Sequence, residues 1–415
     1  MKLFPHQIEG VRFLAQRRRA YLADDMGLGK SAQALCAAER VGAQSILVIA
    51  PASLLPNWQH EFDLWGPRSC HTFTTVSYTN QRVLESAGHF SWDVVILDEA
   101  HYCKNPNAKR TRAALAIAAD AKYAWLLSGT PMPNHPGELY APMAALWPEV
   151  CANLELETYD AWVQHFCRYR MVQFGRGRPQ RKIYGHKNLD DLKPYMPALL
   201  LRRRLADIAL ELPPLRIHLS RLEADAGLDR ALAATGVDVA ALIQVIEHAE
   251  LREATSQLRR LLGEYKAPRI AEQISRELTD HAYRKIVVLA YHHSVLDTLK
   301  EGLKGHGVVG FRGGDSGDYR QDQVDRFNTD PTKRVFLAQQ TAAGVGLNLQ
   351  AASEIVLVEP AWSPDDNAQA IKRIHRIGQD APCRARIFTV AGSMDEAVMK
   401  TLQRKLQTQR SLGLK

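Results

Sequence analysis

The sequence predicts an α/β fold of two parallel-sheet lobes with a mostly helical insertion between them. Residues 1–134 and 281–415 both alternate short apolar runs with helical stretches, the rhythm of parallel strands joined by crossover helices. Residues 135–280 change character, rich in Leu, Ala, Arg and Glu with few β-branched runs. A length of 415 residues suits two to three domains, and an apolar share of 46% is ample for cores of that size.

In the first lobe the expected strands are Tyr21–Ala23, Ile46–Ala50, Val94–Leu97 and Ala124–Leu127. Such short apolar runs fit strands buried on both faces. In the insertion a Gly-Arg-Gly-Arg-Pro loop (175–179) interrupts the helical pattern. The second lobe has strands expected at Ile286–Ala290, Val308–Phe311, Val335–Ala338, Ile355–Val358 and Ala385–Val390. The tail from Met394 to Ser411 reads as one amphipathic helix.

No uninterrupted apolar run approaches the roughly 18 residues of a membrane span, and the N-terminus lacks the apolar core of a signal peptide. The six cysteines, Cys36, Cys70, Cys103, Cys151, Cys167 and Cys383, are scattered without a C-x-x-C pair, so no zinc site is expected. His292-His293 reads as structural. The net charge of +8 favours a polyanionic partner. The charge is concentrated between Arg168 and Lys187, where Arg168, Arg170, Arg176, Arg178, Arg181, Lys182 and Lys187 occur without an acid and with Tyr169, Phe174 and Tyr184 interleaved. Such a segment can follow a phosphate backbone, and equally it can be a solvated basic loop.

Leu22-Ala-Asp-Asp-Met-Gly-Leu-Gly-Lys30-Ser31 reads as a strand end, a glycine turn and a Lys-Ser pair opening a helix. Gly27 and Gly29 let successive backbone N–H groups face one phosphate. Lys30 can reach the outer phosphates of a nucleoside triphosphate and Ser31 can ligate Mg²⁺. The strict phosphate-loop pattern has glycine where Asp24 stands. Val94–Leu97 ends in Asp98-Glu99-Ala100-His101, which puts carboxylates at the end of a central strand. Asp98 can hold Mg²⁺, and Glu99 can orient and deprotonate an attacking water. In the second lobe, Gln369 to Gln379 contains Arg373 and Arg376, which would share one face of a helix. Two guanidiniums so placed can act as arginine fingers on a transferring phosphoryl group, or form only a charged surface.

Together these stretches resemble the Swi/Snf-type ATPases of helicase superfamily two, almost end to end. Phe4-Pro-His-Gln7 with Gly10 resembles the Q motif, Asp25-Met26-Gly27-Leu28-Gly29-Lys30-Ser31 motif I, and Ile46 to Trp58 motif Ia. Asp98-Glu-Ala-His101 resembles motif II and Leu127-Ser128-Gly-Thr130-Pro131, with Asn134, motif III. Leu201-Arg-Arg203 followed by Leu212-Pro-Pro is similar to the link into the second lobe. Gly344-Val-Gly346-Leu-Asn348-Leu resembles motif V and Gln369 to Gln379 motif VI. Thr341-Ala-Ala-Gly344, Glu359 and Tyr184-Gly-His-Lys-Asn-Leu189 lean towards the annealing-helicase branch, whereas Trp362-Ser363-Pro364 departs from the usual Trp-Asn-Pro.

The resemblance implies RecA-like lobes and an ATP site with Gln7 on adenine, Asp25 through Ser31 on the phosphates, and Gly346 as a second-lobe contributor. Lys30, Glu99, Arg373 and Arg376 are the expected catalytic residues, and Ser31 and Asp98 the Mg²⁺ ligands. It implies a double-stranded or forked DNA partner, contacted by Ser53, Asn57, Ser128, Thr130, Arg312, Gln339, Thr341 and Asn348, chiefly through phosphates. The expected activity is DNA-stimulated ATP hydrolysis driving movement along the duplex, with reannealing or fork remodelling in view. The rivals are a DEAH-type helicase separating RNA or DNA strands and a DNA-binding module without catalysis. The chain starts almost at the Q motif and ends soon after motif VI, so the expectation is a compact, monomeric, cytoplasmic motor of prokaryotic or phage type. The sequence names no recruiting partner.

Overall fold

The computed structural model describes residues 3–132, 135–172, 180–204, 208, 212–234, 252–343, 347–361, 364–376, 378–396 and 399. The chain divides into two compact units, Met1–Leu210 and Glu211–Lys415. Residues expected to form a separate insertion are therefore shared between the two. Among the described residues no helix is long and apolar enough to cross a membrane.

The first unit is built on a six-stranded, all-parallel sheet. Its strands are β1 (Arg19–Leu22), β2 (Ser45–Ala50), β3 (Thr72–Ser77), β4 (Val94–Asp98), β5 (Tyr123–Leu127) and β8 (Leu200–Leu201). Their spatial order is β3-β2-β4-β5-β1-β8. The central strands carry no charge before their last residue because helices cover both faces; Ile46 through Ala50 and Val94 through Leu97 are fully buried. Helices α1 (Pro5–Ala15), α2 (Lys30–Arg40) and α3 (Leu55–Trp65) belong to this unit. Helix α1 opens with Pro5 at its first turn, where a missing N–H costs nothing.

Residues 140–166 supply three short helices, Tyr140–Leu146, Pro148–Asn153 and Tyr159–Phe166, whose Trp147, Trp162 and Phe166 join the core of the first unit. The chain then forms an antiparallel hairpin of β6 (Cys167–Val172) and β7 (Gln180–His186). The expected helical pattern is thus broken by a β-ribbon. The 175–179 loop, with Phe174, Arg176 and Arg178, lies outside the described residues.

The second unit has its own six-stranded parallel sheet: β9 (Leu215–Leu222), β10 (Ile286–Ala290), β11 (Val308–Phe311), β12 (Val335–Gln339), β13 (Glu354–Leu357) and β14 (Cys383–Val390). Their order is β11-β12-β10-β13-β14-β9. The long helix Arg252–Thr279 and the helix His293–Leu303 pack against one face through Ile270, Ile274, Leu296 and Leu299. The two expected parallel-sheet lobes are present. Of the expected tail helix, only residues 394–396 and 399 lie among the described residues.

Candidate active site

Strand register brings the first unit's functional segments to one end of its sheet. Leu22 of β1 is paired with Leu127 of β5, and Leu127 with Asp98 of β4. The glycine loop after β1, the Asp98-Glu99 pair after β4 and Ser128 after β5 therefore leave the sheet side by side, at the carboxyl ends of the strands where open α/β sheets bind ligands. Ser128 N–H donates to Leu22 O at 3.3 Å, closing this end.

Gly27 (φ 86°) and Gly29 (φ 72°) adopt left-handed conformations that side chains resist, which explains both glycines. Gln7, buried on α1, lies directly over the loop: a Cβ on Gly29 would sit 2.3 Å from its Nε2. Gln7 Oε1 accepts from Phe4 N–H at 3.0 Å and Nε2 donates to Leu28 O at 3.4 Å. Lys30 opens α2 and turns back across the loop, its Nζ donating to Asp24 O at 2.8 Å and Asp25 O at 3.3 Å. Ser31 follows on the first turn of α2, half-buried. Met26 touches the backbone position of Gly129, so the glycine loop and the Ser128–Thr130 segment are in contact.

Asp98 is buried at the end of β4. Its Oδ2 accepts from Trp58 Nε1 at 2.8 Å and its Oδ1 from Glu99 N–H at 3.0 Å. Burial, together with the neighbouring Glu99 charge, pushes its pKa up to about 6; Trp58 and Lys30 pull the other way. Glu99 itself has φ 49°, a left-handed backbone that costs a non-glycine residue about 1–2 kcal/mol and marks a site held in place by its surroundings. His101 Nδ1 lies 3.3 Å from Glu99 Oε2 and 3.1 Å from Ser128 Oγ. Ser128 Oγ in turn accepts from Thr130 N–H at 3.1 Å. A single imidazole thus touches the second carboxylate and the segment after β5.

The residues fit a nucleoside triphosphate with Mg²⁺. An ammonium and a glycine loop without Cβ obstruction suit phosphates, and a hydroxyl with a carboxylate supplies the hard oxygens Mg²⁺ prefers. Among the described residues no group of three or more His, Cys, Asp or Glu could hold a metal ion by itself.

Of the expected DNA contacts, Ser53 is exposed in the short turn before α3, and Asn57 is half-buried on α3 immediately before Trp58. In the second unit, Gln339 ends β12 and Arg312 follows β11; Phe311 is paired with Ala338, so the two lie at one end of that sheet. Gln339 Oε1 accepts from Gly313 N–H at 2.9 Å and Nε2 donates to Tyr291 O at 3.0 Å. Arg312 pairs with Asp297. Thr341 is exposed in the helix Gln340–Ala343. Asn348 Oδ1 accepts from Gln350 N–H at 3.3 Å. Gly344, Gly346, Asn134 and the Trp362-Ser363 pair lie outside the described residues.

Arg373 and Arg376 were expected on a helix. The helix Pro364–Ile371 instead ends before them, and both sit on turns. Arg373 N–H and Ile374 N–H donate to residues three back, Ala370 and Ile371, which tightens the chain out of the α-helix. Gly378, at φ 95°, follows. Arg373 O accepts from Leu349 N–H at 3.1 Å, tying this turn to the segment after Asn348.

A model of the SNF2-related domain matches residues 6–83 and 69–231, together more than half of the chain. The chain belongs to the SNF2-related domain family. A model of the helicase conserved C-terminal domain matches residues 269–378. SNF2-related relatives include the SWI/SNF-related matrix-associated actin-dependent regulator of chromatin subfamily A-like protein 1 of Xenopus tropicalis, 29% identical over 99% of this chain and 45% of its own length. The human DNA annealing helicase and endonuclease ZRANB3 is 27% identical over 98% of this chain and 40% of its own. The Caenorhabditis elegans homologue of the former is 29% identical over 98% and 61%. The chain therefore spans between 40% and 61% of the length of these relatives. The Sulfolobus solfataricus SWI2/SNF2 ATPase core in complex with double-stranded DNA aligns over 99% of this chain and 92% of its own, at 22% identity and TM-score 0.44. The expectation of a cytoplasmic motor of prokaryotic or phage type is overturned by these curated relatives, which are animal proteins named for chromatin regulation and DNA annealing.

Five residues with supporting roles in the two units escaped the sequence reading of roles. Asp24 is fully buried and receives Arg203, whose Nε donates to Oδ1 at 2.9 Å while Nη2 donates to Oδ2. Gln33, also fully buried, donates to Asp24 Oδ2 at 3.2 Å and Leu28 O at 2.9 Å. The departure from the strict phosphate-loop glycine at Asp24 was the available signal. It marks a carboxylate that braces the loop from behind. Trp58, quoted only as the end of motif Ia, holds Asp98. In the second unit Gln379 ties the end of motif VI to the segment just after motif V, its Nε2 donating to Gln350 O, Ala352 O and Ile374 O at 2.9–3.1 Å.

Proposed function

We propose that the chain is an ATP-dependent translocase on double-stranded DNA that hydrolyses ATP with the first unit's loop residues, and that it serves reannealing or remodelling of forked DNA. The observation that carries this reading is the β1–β5–β4 register, which gathers Lys30, Ser31, Asp98 and Glu99 at one sheet end with Ser128 beside them. Asp25 through Ser31 bind the phosphates, Gln7 reads the adenine, and Glu99 orients the attacking water and takes its proton. Mg²⁺, held by Ser31 and Asp98, would neutralise charge on the phosphate oxygens.

In this reading Arg373 and Arg376 stabilise charge on the transferring phosphoryl group, and Gly346 binds the nucleotide. Ser53, Asn57 and Thr130, with Arg312, Gln339, Thr341 and Asn348, contact the duplex, whereas Ser128, expected beside them, is fully buried and supports Thr130 from behind. His101 gives the reading a route from DNA to chemistry, because it touches both Glu99 and Ser128. The chain works as a monomer. Membership of the SNF2-related family sets aside the DEAH-type strand-separating alternative.

The test is ATP hydrolysis without nucleic acid and with single-stranded, duplex and forked DNA and duplex RNA. Stimulation by duplex or forked DNA, abolished in Lys30→Ala and Glu99→Gln with the fold intact, is the expected result. Stimulation by RNA alone, or full activity in Lys30→Ala, would overturn the assignment.

A further inference from the structure

The hairpin β6–β7 takes no part in the chemistry above, yet it is built to present one face. Across the ribbon Arg170 is paired with Lys182 and Arg168 with Gly185, whereas Tyr169 is paired with Ile183 and Met171 with Arg181. Paired residues share a face, so Arg168, Arg170 and Lys182 lie on one side and Tyr169 and Arg181 on the other. The second side is tied down. The Arg181 guanidinium lies 5.2 Å from the Tyr169 ring centroid and pairs at 2.6 Å with Asp160 of the helix Tyr159–Phe166. The root is fixed as well, with Lys187 N–H donating to Phe166 O at 2.9 Å and Asn188 Nδ2 to His165 O at 3.0 Å.

The first side is open. Arg168 and Arg170 are exposed, and Gly185 leaves room for the Arg168 side chain to lie across the ribbon. A register shift between Arg168 and Tyr169 leaves Tyr184 without a partner across the ribbon, and the residue is 67% exposed. Neither strand contains an acid. The ribbon therefore offers cations and an unstacked aromatic ring on a braced support.

We propose that this face of the hairpin binds single-stranded DNA, with phosphates on Arg168 and Arg170 and an unpaired base stacked on Tyr184. The cations alone would serve any polyanion. The ring decides for an unpaired strand, because bases in a duplex are already stacked while those of a single strand are available to an aromatic side chain. The proposal rests on the reading of DNA as the partner and adds a site distinct from the duplex contacts named above.

Fluorescence anisotropy of a labelled oligothymidylate and of a blunt duplex, with the full chain and no nucleotide, tests it. Tyr184→Ser is expected to weaken single-strand binding roughly tenfold while changing duplex binding less than about twofold, and Tyr184→Phe to bind like wild type. The Arg168→Gln/Arg170→Gln variant should weaken single-strand binding and flatten its salt dependence. Unchanged single-strand affinity in Tyr184→Ser, or equal losses on both ligands, would overturn the proposal. Duplex-stimulated ATP hydrolysis separates the two readings: if it persists while single-strand binding ignores Tyr184, only the hairpin site fails. A wild-type chain that binds no DNA of any kind would sink both.

Discussion

The indole N–H of Trp58 donates to Asp98 Oδ2 at 2.8 Å, both residues being buried. Trp58 follows Asn57 on α3, so a residue assigned to the duplex and the carboxylate assigned to Mg²⁺ are one side chain apart. Trp58→Phe keeps the ring and removes the donor. A hydrogen bond to a charged group contributes about 1.5–3 kcal/mol, so the variant should lower the denaturation midpoint and raise the Mg²⁺ concentration for half-maximal ATPase several-fold. A Mg²⁺ titration superimposable on wild type would show that Asp98 is oriented without Trp58.

Arg203 is a second such brace. Besides Asp24 it donates to His6 O and, at 2.8 Å, to Gln33 Oε1. Arg203→Ala would strand a fully buried carboxylate, at a cost of about 3–5 kcal/mol. Arg203→Lys should recover little of this, since an ammonium cannot engage both Asp24 oxygens as the guanidinium fork does. Urea unfolding of the three chains measures it; equal stability of the lysine variant and wild type would contradict the fork argument.

His101→Ala should separate basal from DNA-stimulated turnover. With the imidazole gone, Glu99 keeps its place at the end of β4 but loses its link to Ser128. Basal ATP hydrolysis should stay within about threefold, and stimulation by duplex DNA should fall roughly tenfold, the range of ordinary coupling energies. Parallel losses in both rates would mean that His101 acts on the chemistry itself.

Acid should weaken the second unit through Glu359. Burial alone would raise its pKa, but His292 Nδ1 at 2.6 Å and the N–H groups of Tyr291 and His292 at 2.7 and 3.0 Å more than reverse this, leaving the carboxyl below its usual range. His292 and Arg259 are the cationic or titratable groups facing it. The unfolded chain then binds the proton more readily, so stability rises with pH. The contribution is complete above the unfolded value of about 4.3 and is lost as pH falls through the lower folded one. Thermal midpoints from pH 7 to pH 3 should fall more steeply for wild type than for Glu359→Gln; parallel curves would assign acid lability elsewhere.

What the sequence made legible follows from burial. β2, β4 and β10 are apolar because both faces are covered, so composition alone marks them. β3 reads Thr-Phe-Thr-Thr-Val-Ser and β9 Leu-Arg-Ile-His-Leu-Ser-Arg-Leu; both are edge strands with one side open, and their patterns resemble loops. The β6–β7 ribbon mixes Arg168, Arg170, Arg181 and Lys182 with aromatic and apolar residues, so it too lacks a clean strand pattern. In the site, Lys30, Asp98 and Glu99 are visible by residue type and spacing. Arg203 is not, because its partner Asp24 is 179 residues away and only the placement of β8 beside β1 brings them together.

The pairing of β9 with β14 has a consequence for synthesis. Among the described residues these are the first and last strands of the second unit, joined from Leu215–Cys383 to Leu222–Val390. On the ribosome the first unit can close its sheet as soon as Leu201 is out. The second must hold β9, with Ile217 and Leu219 exposed on it, as an open edge until almost the whole unit has emerged. A stop codon between Leu222 and Cys383 would release a complete first unit joined to an unpaired strand, a product poised for aggregation rather than for partial function.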